Sequence, residues 1–170
     1  MALTLHRQQR ASFPERLLNP AAPARALSSC GSLNRGSLDM TVSPPPAGMA
    51  AALFLEVGVG TDQHGQDLTK ACVRAVKDAI SFNSIPSLNS LVPGGRDNII
   101  LRLQLAVPFK GGEPPPVNLD EVCAAIPYGT ILPVEIMHGG ARFESMCAVP
   151  SLGDTSDSWV VAIACVTVGY

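Results

Sequence analysis

Hydrophobic and polar positions divide this chain into a first part without regular spacing and a second part with clear periodicity. Residues 1–48 contain no periodic apolar segment long enough to bury one face of a helix or strand. From Ala50 onward, apolar residues recur at the spacings of strands and helices. We therefore predict a leader over residues 1–48 and a single folded domain over residues 49–170.

Apolar spacing predicts five strands and two helices in the folded part. Three strands are single apolar or alternating runs, at 51–60, 98–107 and 159–168. The last run is apolar on both faces, which predicts a central position in the sheet. The two helices begin at Asp67 and Asn118, whose side chains can cap a helix start. Two further strands, 131–138 and 141–148, are predicted to form a hairpin through Gly139 and Gly140.

The predicted order β-α-β-α-β-β-β indicates an α+β two-layer sandwich. A sheet of four or five strands would carry both helices on one face. The opposite face carries either Trp159, Ile163 and Cys165 or the residues that alternate with them along the strand. Another element must cover that face, because large exposed apolar faces usually mark interfaces. The pattern therefore predicts a homo-oligomer.

Composition and charge exclude several classes of partner. The chain is 46% hydrophobic and 15% charged, which is typical of a globular protein. No apolar run approaches the roughly 18 residues of a membrane span, so no membrane partner is expected. Residues 49–170 are net acidic, which argues against a nucleic-acid partner. Five cysteines at irregular spacing predict free thiols rather than a disulfide framework.

The leader has the composition of a targeting segment. It is rich in Arg and Ser, poor in acidic residues and lacks the apolar core of a secretory signal, which is typical of an organelle transit peptide. The Met1-Ala2 start and the Ser28–Ser32 cluster favour a chloroplast. Leu3, Leu5 and neighbouring arginines would also suit a mitochondrial leader, and a merely disordered tail is a further alternative.

The densest group of glycine and polar residues lies at 58–70, between the first strand and the first helix. Its glycines allow close backbone approach or a positive φ, and a helix start can offer free N–H groups to an anion. The spacing matches neither a dinucleotide-binding fingerprint nor a Walker loop. Arg142 and Arg96 could clamp a substrate carboxylate. The ligand-binding candidates are Gly58, Gly60, Gly65, Asp67, Thr69, Lys70 and Arg142.

Three side chains are candidates for acid–base catalysis: His64, Asp62 and His138. Histidine is the side chain that titrates nearest neutral pH. If the two histidines and the carboxylates converge, they would also suit zinc or another divalent ion, and the metal and any cofactor stay open. The alternative is architectural: Asp67 caps a helix, Asp62 forms an exposed turn, and His64 is an exposed loop residue hydrogen-bonded to the backbone.

A longer motif carries a resemblance. The string Gly60-Thr-Asp-Gln-His-Gly-Gln-Asp-Leu-Thr-Lys70, with Asn83-Ser-Ile-Pro, Val92-Pro-Gly-Gly and the terminal Val168-Gly-Tyr, resembles a conserved hypothetical family named after a Listeria locus. That family has bacterial and plant members, and the resemblance extends from about residue 51 to the C-terminus. It implies no particular activity. It does imply that residues 1–48 are an addition to a bacterial-type domain, as a plastid leader would be.

Two interpretations follow from these observations. The first is a small oligomeric α+β domain that binds a small polar or anionic ligand at 58–70, with catalysis left open. The second is a non-catalytic oligomeric or regulatory module in which the turn only shapes the helix start. Convergence of His64, Asp62, His138 and Arg142 in one pocket would favour an enzyme, and dispersal would favour the module.

Overall fold

The structure, a computed structural model, describes residues 43–81 and 83–170. Most of the predicted leader, including Cys30, lies outside the described residues. The strands are β1 (Ala52–Asp62), β2 (Ile100–Val107), β3 (Thr130–Ile131), β4 (Glu135–His138), β5 (Ala141–Glu144) and β6 (Ser158–Gly169). The helices are α1 (Leu68–Ser81), α2 (Leu88–Leu91) and α3 (Leu119–Cys123), and single 3-10 turns lie at Arg96–Asn98 and Pro150–Leu152.

The strands form one mixed sheet with β6 in its middle. β6 runs antiparallel between β1 and β2, which confirms the central position predicted from its apolar faces. β3 and β4 follow one another along the free edge of β2 and are parallel to it. β5 pairs with the first residues of β6. It lies along the same edge of β6 that pairs with β2 further along the strand. The α+β class is confirmed, with six strands in place of the four or five expected.

The predicted hairpin is wrong. The segment expected to be one strand over 131–138 is split into β3 and β4 around Pro133, which has no N–H for a sheet ladder. β4 then pairs with β2 and β5 with β6, so the turn at Gly139 and Gly140 does not fold the chain back on β4. Gly140 has a φ of +61°, and a Cβ there would lie 2.2 Å from the carbonyl oxygen of Val161. The turn therefore carries the chain directly onto β6.

One face of the sheet carries the core. α1 packs on β1 and β6, and α3 packs against α1. The alternation predicted for the second strand is confirmed, because its inward side chains are all buried: Ile99, Leu101, Leu103, Leu105 and Val107. Cys72 of α1 lies in this core, and burial raises the pKa of its thiol to about 11, so the thiol stays protonated at neutral pH. None of the helices in the described residues has the length and apolar character needed to cross a membrane.

Gly58 and Gly60 let α1 lie directly on β1. A Cβ at Gly58 would lie 2.2 Å from the backbone nitrogen of Ala79. A Cβ at Gly60 would lie 2.0 Å from the carbonyl oxygen of Ala71. Neither glycine has a positive φ, so the close helix contact is the reason that these positions need glycine.

Candidate functional site

A buried carboxylate at the end of β1 organises the start of α1. The Asp62 side chain is 4% exposed. Its Oδ2 accepts the backbone N–H of Asp67 at 2.9 Å, and its Oδ1 accepts Nη1 of Arg74 at 2.7 Å. Arg74 also donates to the carbonyl oxygen of Thr61. The expectation that Asp62 is an exposed turn residue is therefore wrong, and its negative charge is balanced by Arg74.

The start of α1 is capped from within the chain. Asp67 Oδ1 accepts the N–H groups of Thr69 at 2.9 Å and Lys70 at 3.2 Å, which confirms the predicted cap. The Thr69 hydroxyl accepts the backbone N–H of Asn118 at 3.0 Å, which ties α1 to the start of α3. These N–H groups and this hydroxyl are thus used in internal bonds rather than left free for an anion. Lys70 keeps its ammonium group exposed, with Nζ 3.7 Å from Asp67 Oδ2.

Asp154, in the loop before β6, joins that loop to the β1–α1 loop. Its Oδ1 accepts the N–H of Gly65 at 2.8 Å and Nε2 of Gln66 at 2.9 Å. Its Oδ2 accepts the N–H of Val149 at 2.7 Å and faces Nδ1 of His64 at 3.0 Å. The side chain is only 1% exposed. The hydrogen bond from His64, followed by the backbone bond from Val149, holds the pKa of Asp154 well below its usual value, so the group is a carboxylate.

The Asp154 carboxylate determines which nitrogen of the His64 ring carries a proton. An ionised carboxylate only accepts hydrogen bonds, so Nδ1 of His64 must carry the proton between them. The other ring nitrogen, Nε2, has no hydrogen-bond partner among residues 43–81 and 83–170. The ring is 38% exposed. A buried aspartate thus orients a histidine whose second nitrogen is available to solvent or to a ligand, an arrangement used in general acid–base chemistry.

His64 lines an open pocket of about 350 Å³ at the edge of β1. The pocket brings together one aromatic side chain, two cationic side chains of α1 and the end of β1. The lining residues are Thr61, Asp62, Gln63, His64, Lys70, Arg74 and Trp159. Arg74 pairs with the buried Asp62 at 2.7 Å, whereas Lys70 contacts the exposed Asp67 at 3.7 Å, so Lys70 is the cation of the lining with the weaker partner.

The other two members of the predicted constellation lie elsewhere. β6 and β2 separate β4 from β1, which places His138 three strand spacings, roughly 14 Å, from β1. His138 instead packs edge-on against Phe109, with 5.3 Å between ring centroids. Arg142 pairs with Val160 from the side opposite Asp62, roughly 10 Å away. The structure therefore brings together Asp62 and His64, but neither His138 nor Arg142 lines their pocket, so the four-residue convergence that would favour an enzyme is not found.

The remaining candidates have separate roles. Gly65 has a φ of +85°, which a left-handed turn requires, whereas Gly58 and Gly60 lie beneath α1. Arg96 lies beyond the other end of α1, with its guanidinium 5.1 Å from the ring centroid of Tyr128. Within the described part of the chain, no three His, Cys, Asp or Glu side chains are placed to hold a metal ion.

Two residues of the site were not singled out by sequence reasoning. Asp154 lies 90 residues from His64 along the chain, and a separation of that length leaves no periodic signal. Gln66 donates to Asp154 and accepts from the N–H of Thr155 at 3.1 Å, so it also bridges the two loops. Its φ of +52° is unusual for a residue with a side chain. The long polar run beside the glycines was the only sequence signal that pointed to Gln66.

The fold and this loop arrangement define an open-sheet α+β domain with a pocket at one sheet edge. Over residues 52–168 the chain matches the family described as conserved hypothetical protein (Lin0512_fam), and it belongs to that family. This confirms the resemblance seen in the sequence.

A solved structure from another protein matches this chain along nearly all of that protein's own length. It is the crystal structure of an FtsZ-like protein of unknown function from Nostoc punctiforme, 36% identical to this chain with a TM-score of 0.61. The match covers 71% of this chain and 97% of the Nostoc chain. No curated protein matches the chain.

Proposed function

We propose that this domain binds a small anionic or polar ligand in the pocket beside His64, and that the His64–Asp154 pair transfers a proton to or from that ligand. The observation that carries the proposal is the hydrogen bond between Nδ1 of His64 and the buried Asp154 carboxylate. It fixes the ring orientation and leaves Nε2 facing away from the aspartate. A histidine held in this way can act as a base through Nε2 and as an acid after it has taken up a proton.

The charge of the lining supports an anionic group on the ligand. Lys70 is exposed at the first turn of α1, and Arg74 donates from the next turn. The Asp62 carboxylate is matched by Arg74, and the carboxylate that faces Lys70 is the exposed Asp67, at 3.7 Å. Trp159 offers an apolar surface at one side. A cavity of about 350 Å³ is near the lower limit for ligand pockets, which supports a small molecule.

Nuclear magnetic resonance of the full chain tests both parts of the proposal. Inorganic phosphate and acetate serve as anionic probes, titrated while the His64 ring nitrogens and the Lys70 backbone amide are observed. We expect saturable shifts at both residues and several-fold weaker binding in Lys70→Ala. Lys77→Ala is the matched control, because Lys77 is an exposed lysine of the same helix about 10 Å further along.

The same spectra report which nitrogen of neutral His64 carries the proton. We expect the Nδ1–H form in the wild type and its loss in Asp154→Asn, whose amide can donate to the ring. A wild-type ring in the Nε2–H form would refute the acid–base role. Phosphate shifts that are equal in Lys70→Ala and Lys77→Ala would refute the binding site.

A second proposal concerns association. We propose that copies of this chain assemble through the sheet face that the helices leave uncovered. Six large apolar side chains on it are 38–58% exposed: Leu55, Val57, Val59, Met137, Phe143 and Trp159. Exposed patches of this kind mark interfaces more often than ordinary surface.

The polar groups of this face support a second copy as the occupant. Arg102 donates to both carboxylate oxygens of Glu135, at 2.8 Å each, and Gln104 adds a third bond at 2.9 Å. The charges are thus paired within one chain. Two copies could cover each other's apolar side chains without leaving a charge unpaired, as a two-fold symmetric contact requires.

Sedimentation velocity of the full chain tests this association. We expect an oligomer for the wild type and a shift to smaller species for Val57→Lys, which places a charge in the centre of the face. Leu91→Lys is the matched control, because Leu91 is a similarly exposed apolar residue in α2, away from the face. A monomeric wild type, or equal behaviour of the two variants, would refute the proposal.

We also propose that the protein is delivered to the chloroplast. The support is the Arg- and Ser-rich, acid-poor composition of residues 1–48, together with a family match that begins only at residue 52. A fluorescent protein fused behind residues 1–48 should accumulate in chloroplasts of leaf cells. Accumulation in mitochondria, or a diffuse signal, would refute this location.

A further inference from the structure

A second pocket, of about 310 Å³, lies near the C-terminal end of α1. Ile80, in the last turn of α1, lines it, and Lys70 of the His64 pocket is ten residues earlier, or about 15 Å along the helix. Six of its twelve lining residues are apolar: Phe54, Ile80, Ile85, Pro86, Leu88 and Ile99. The polar or charged side chains in the lining are Glu56, Asn83, Ser84, Asn89, Arg96 and Tyr128.

Glu56 is a buried carboxylate in this pocket. The residue is 7% exposed and lies on the helix-covered face of β1. Its side chain forms no hydrogen bond or ion pair with any other residue of 43–81 or 83–170, whereas Asp62 and Asp154 on the same side of the molecule are fully bonded. No fully enclosed side-chain oxygen or nitrogen in the described residues lacks a partner, so the Glu56 oxygens must be reached from the pocket.

A carboxylate in this environment favours a cationic ligand group. Removing an ionised group from bulk water is costly unless a donor or an opposite charge compensates it. Among the described residues, no donor bonds the Glu56 carboxylate and no cation forms an ion pair with it. An ammonium group entering the pocket would supply both.

The opposite charge in the pocket is Arg96. Its guanidinium lies over the Tyr128 ring, 5.1 Å from the centroid, and stacking of this kind leaves the edge N–H groups free for a carboxylate. Burial raises the pKa of Tyr128, the Glu56 charge raises it further and the Arg96 charge opposes the rise. Both charges are therefore close to one protonated phenol, which can itself donate a hydrogen bond.

We propose that this pocket binds a small zwitterion with an apolar body, such as a hydrophobic amino acid. The ammonium group would bind Glu56, the carboxylate would bind Arg96 and the Tyr128 hydroxyl, and the aliphatic or aromatic side chain would contact the apolar wall. The lining has one negative and one positive side chain, and half of its residues are apolar, which matches this distribution of charge and apolar surface. The proposal is independent of the His64 pocket, because the two sites share no lining residue.

Isothermal titration calorimetry of the full chain tests the proposal with leucine, phenylalanine and two truncated analogues of leucine. The first analogue, 3-methylbutan-1-amine, lacks the carboxylate, and the second, 4-methylpentanoate, lacks the ammonium group. We expect at least one of the two amino acids to bind. Each analogue should bind the same site at least about tenfold more weakly than leucine does. If neither amino acid binds at millimolar concentration, or if the amine alone binds as tightly as leucine, the zwitterion proposal is overturned.

Variants link this binding to the two charges. Glu56→Gln and Arg96→Met should each weaken amino-acid binding at least about tenfold. Arg142→Gln is the charge-removal control, since Arg142 is exposed and lines neither pocket, and it should bind like the wild type. Glu56→Gln should also unfold at the same temperature as the wild type or a higher one, because it removes a buried charge that has no partner among residues 43–81 and 83–170. A large drop in its unfolding temperature would show a structural partner for Glu56 and overturn the proposal.

Discussion

Asp154 Oδ2 lies 3.0 Å from Nδ1 of His64, although 90 residues separate the two along the chain. The contact links the loop that precedes the central strand β6 to the loop that follows the edge strand β1. Both loops emerge at the same end of the sheet because β1 and β6 are antiparallel and pair up to Asp62 and Val160. The site is thus a direct product of strand pairing.

The first prediction concerns Asp154→Asn. The Asp154 carboxylate accepts hydrogen bonds from four donors in two loops. Removing its charge weakens these bonds, so both loops should become less stable. We expect a thermal unfolding midpoint several degrees below that of the wild type. Asp157→Asn is the control, because Asp157 lies in the same loop and its side chain makes no hydrogen bond to a described residue. Equal midpoints for the two variants would contradict the bridging role.

The second prediction is a loss of stability in acid that depends on Asp154. Its folded-state pKa is lowered, so its contribution is complete above the ordinary aspartate pKa of about 4 and declines as the pH falls through the folded-state value. Unfolding should therefore become easier as the pH drops below about 4. The thermal unfolding midpoint, measured from neutral to acidic pH, should fall less steeply for Asp154→Asn than for the wild type. Parallel curves for the two proteins would contradict the assignment.

The third prediction concerns the contact between β1 and α1. In Gly60→Ala, the new Cβ would lie 2.0 Å from the Ala71 carbonyl oxygen and 2.2 Å from the Ala75 nitrogen, so the helix must move. We expect a cost of about 3 kcal/mol in the free energy of unfolding. Gly111→Ala is the comparison: no atom lies within 4 Å, and only its φ of +68° opposes the change, at about 1 kcal/mol. Urea unfolding of both variants measures the difference, and a smaller loss in Gly60→Ala would contradict the packing role.

The fourth prediction compares two aspartates at the start of α1. Asp67→Ala removes the helix cap and should cost about 1 kcal/mol. Asp62→Asn disrupts the buried pair with Arg74 and should cost roughly 1–3 kcal/mol, although sequence reasoning placed Asp62 in an exposed turn. Chemical denaturation gives both values. His64→Ala is the internal control and should change stability less than Asp62→Asn does, because the ring is partly exposed. A destabilisation in His64→Ala as large as that in Asp62→Asn would contradict this order.

Local patterns in the sequence determined the main elements. The alternation from Ile99 to Val107, the cap at Asp67 and the double apolar face of the last strand each depend on spacing within a few residues, and all three predictions are confirmed. The hairpin through Gly139 failed for a different reason. Two adjacent strands joined by glycines favour a hairpin locally, but which neighbour each strand pairs with is decided by the free edges of β2 and β6.

By itself, the sequence determined the fold class, the family and the polar turn at 58–70, because each depends on local periodicity or on a contiguous motif. Tertiary structure alone decided that Asp154 reaches His64, that Glu56 is buried with no partner among the described residues, and that His138 lies three strand spacings from Asp62. The physical reason is that charges and hydrogen-bond donors act over a few ångströms in space, whatever their separation along the chain. Only the antiparallel pairing of β1 with β6 and the placement of α1 on both strands determine which of these groups meet.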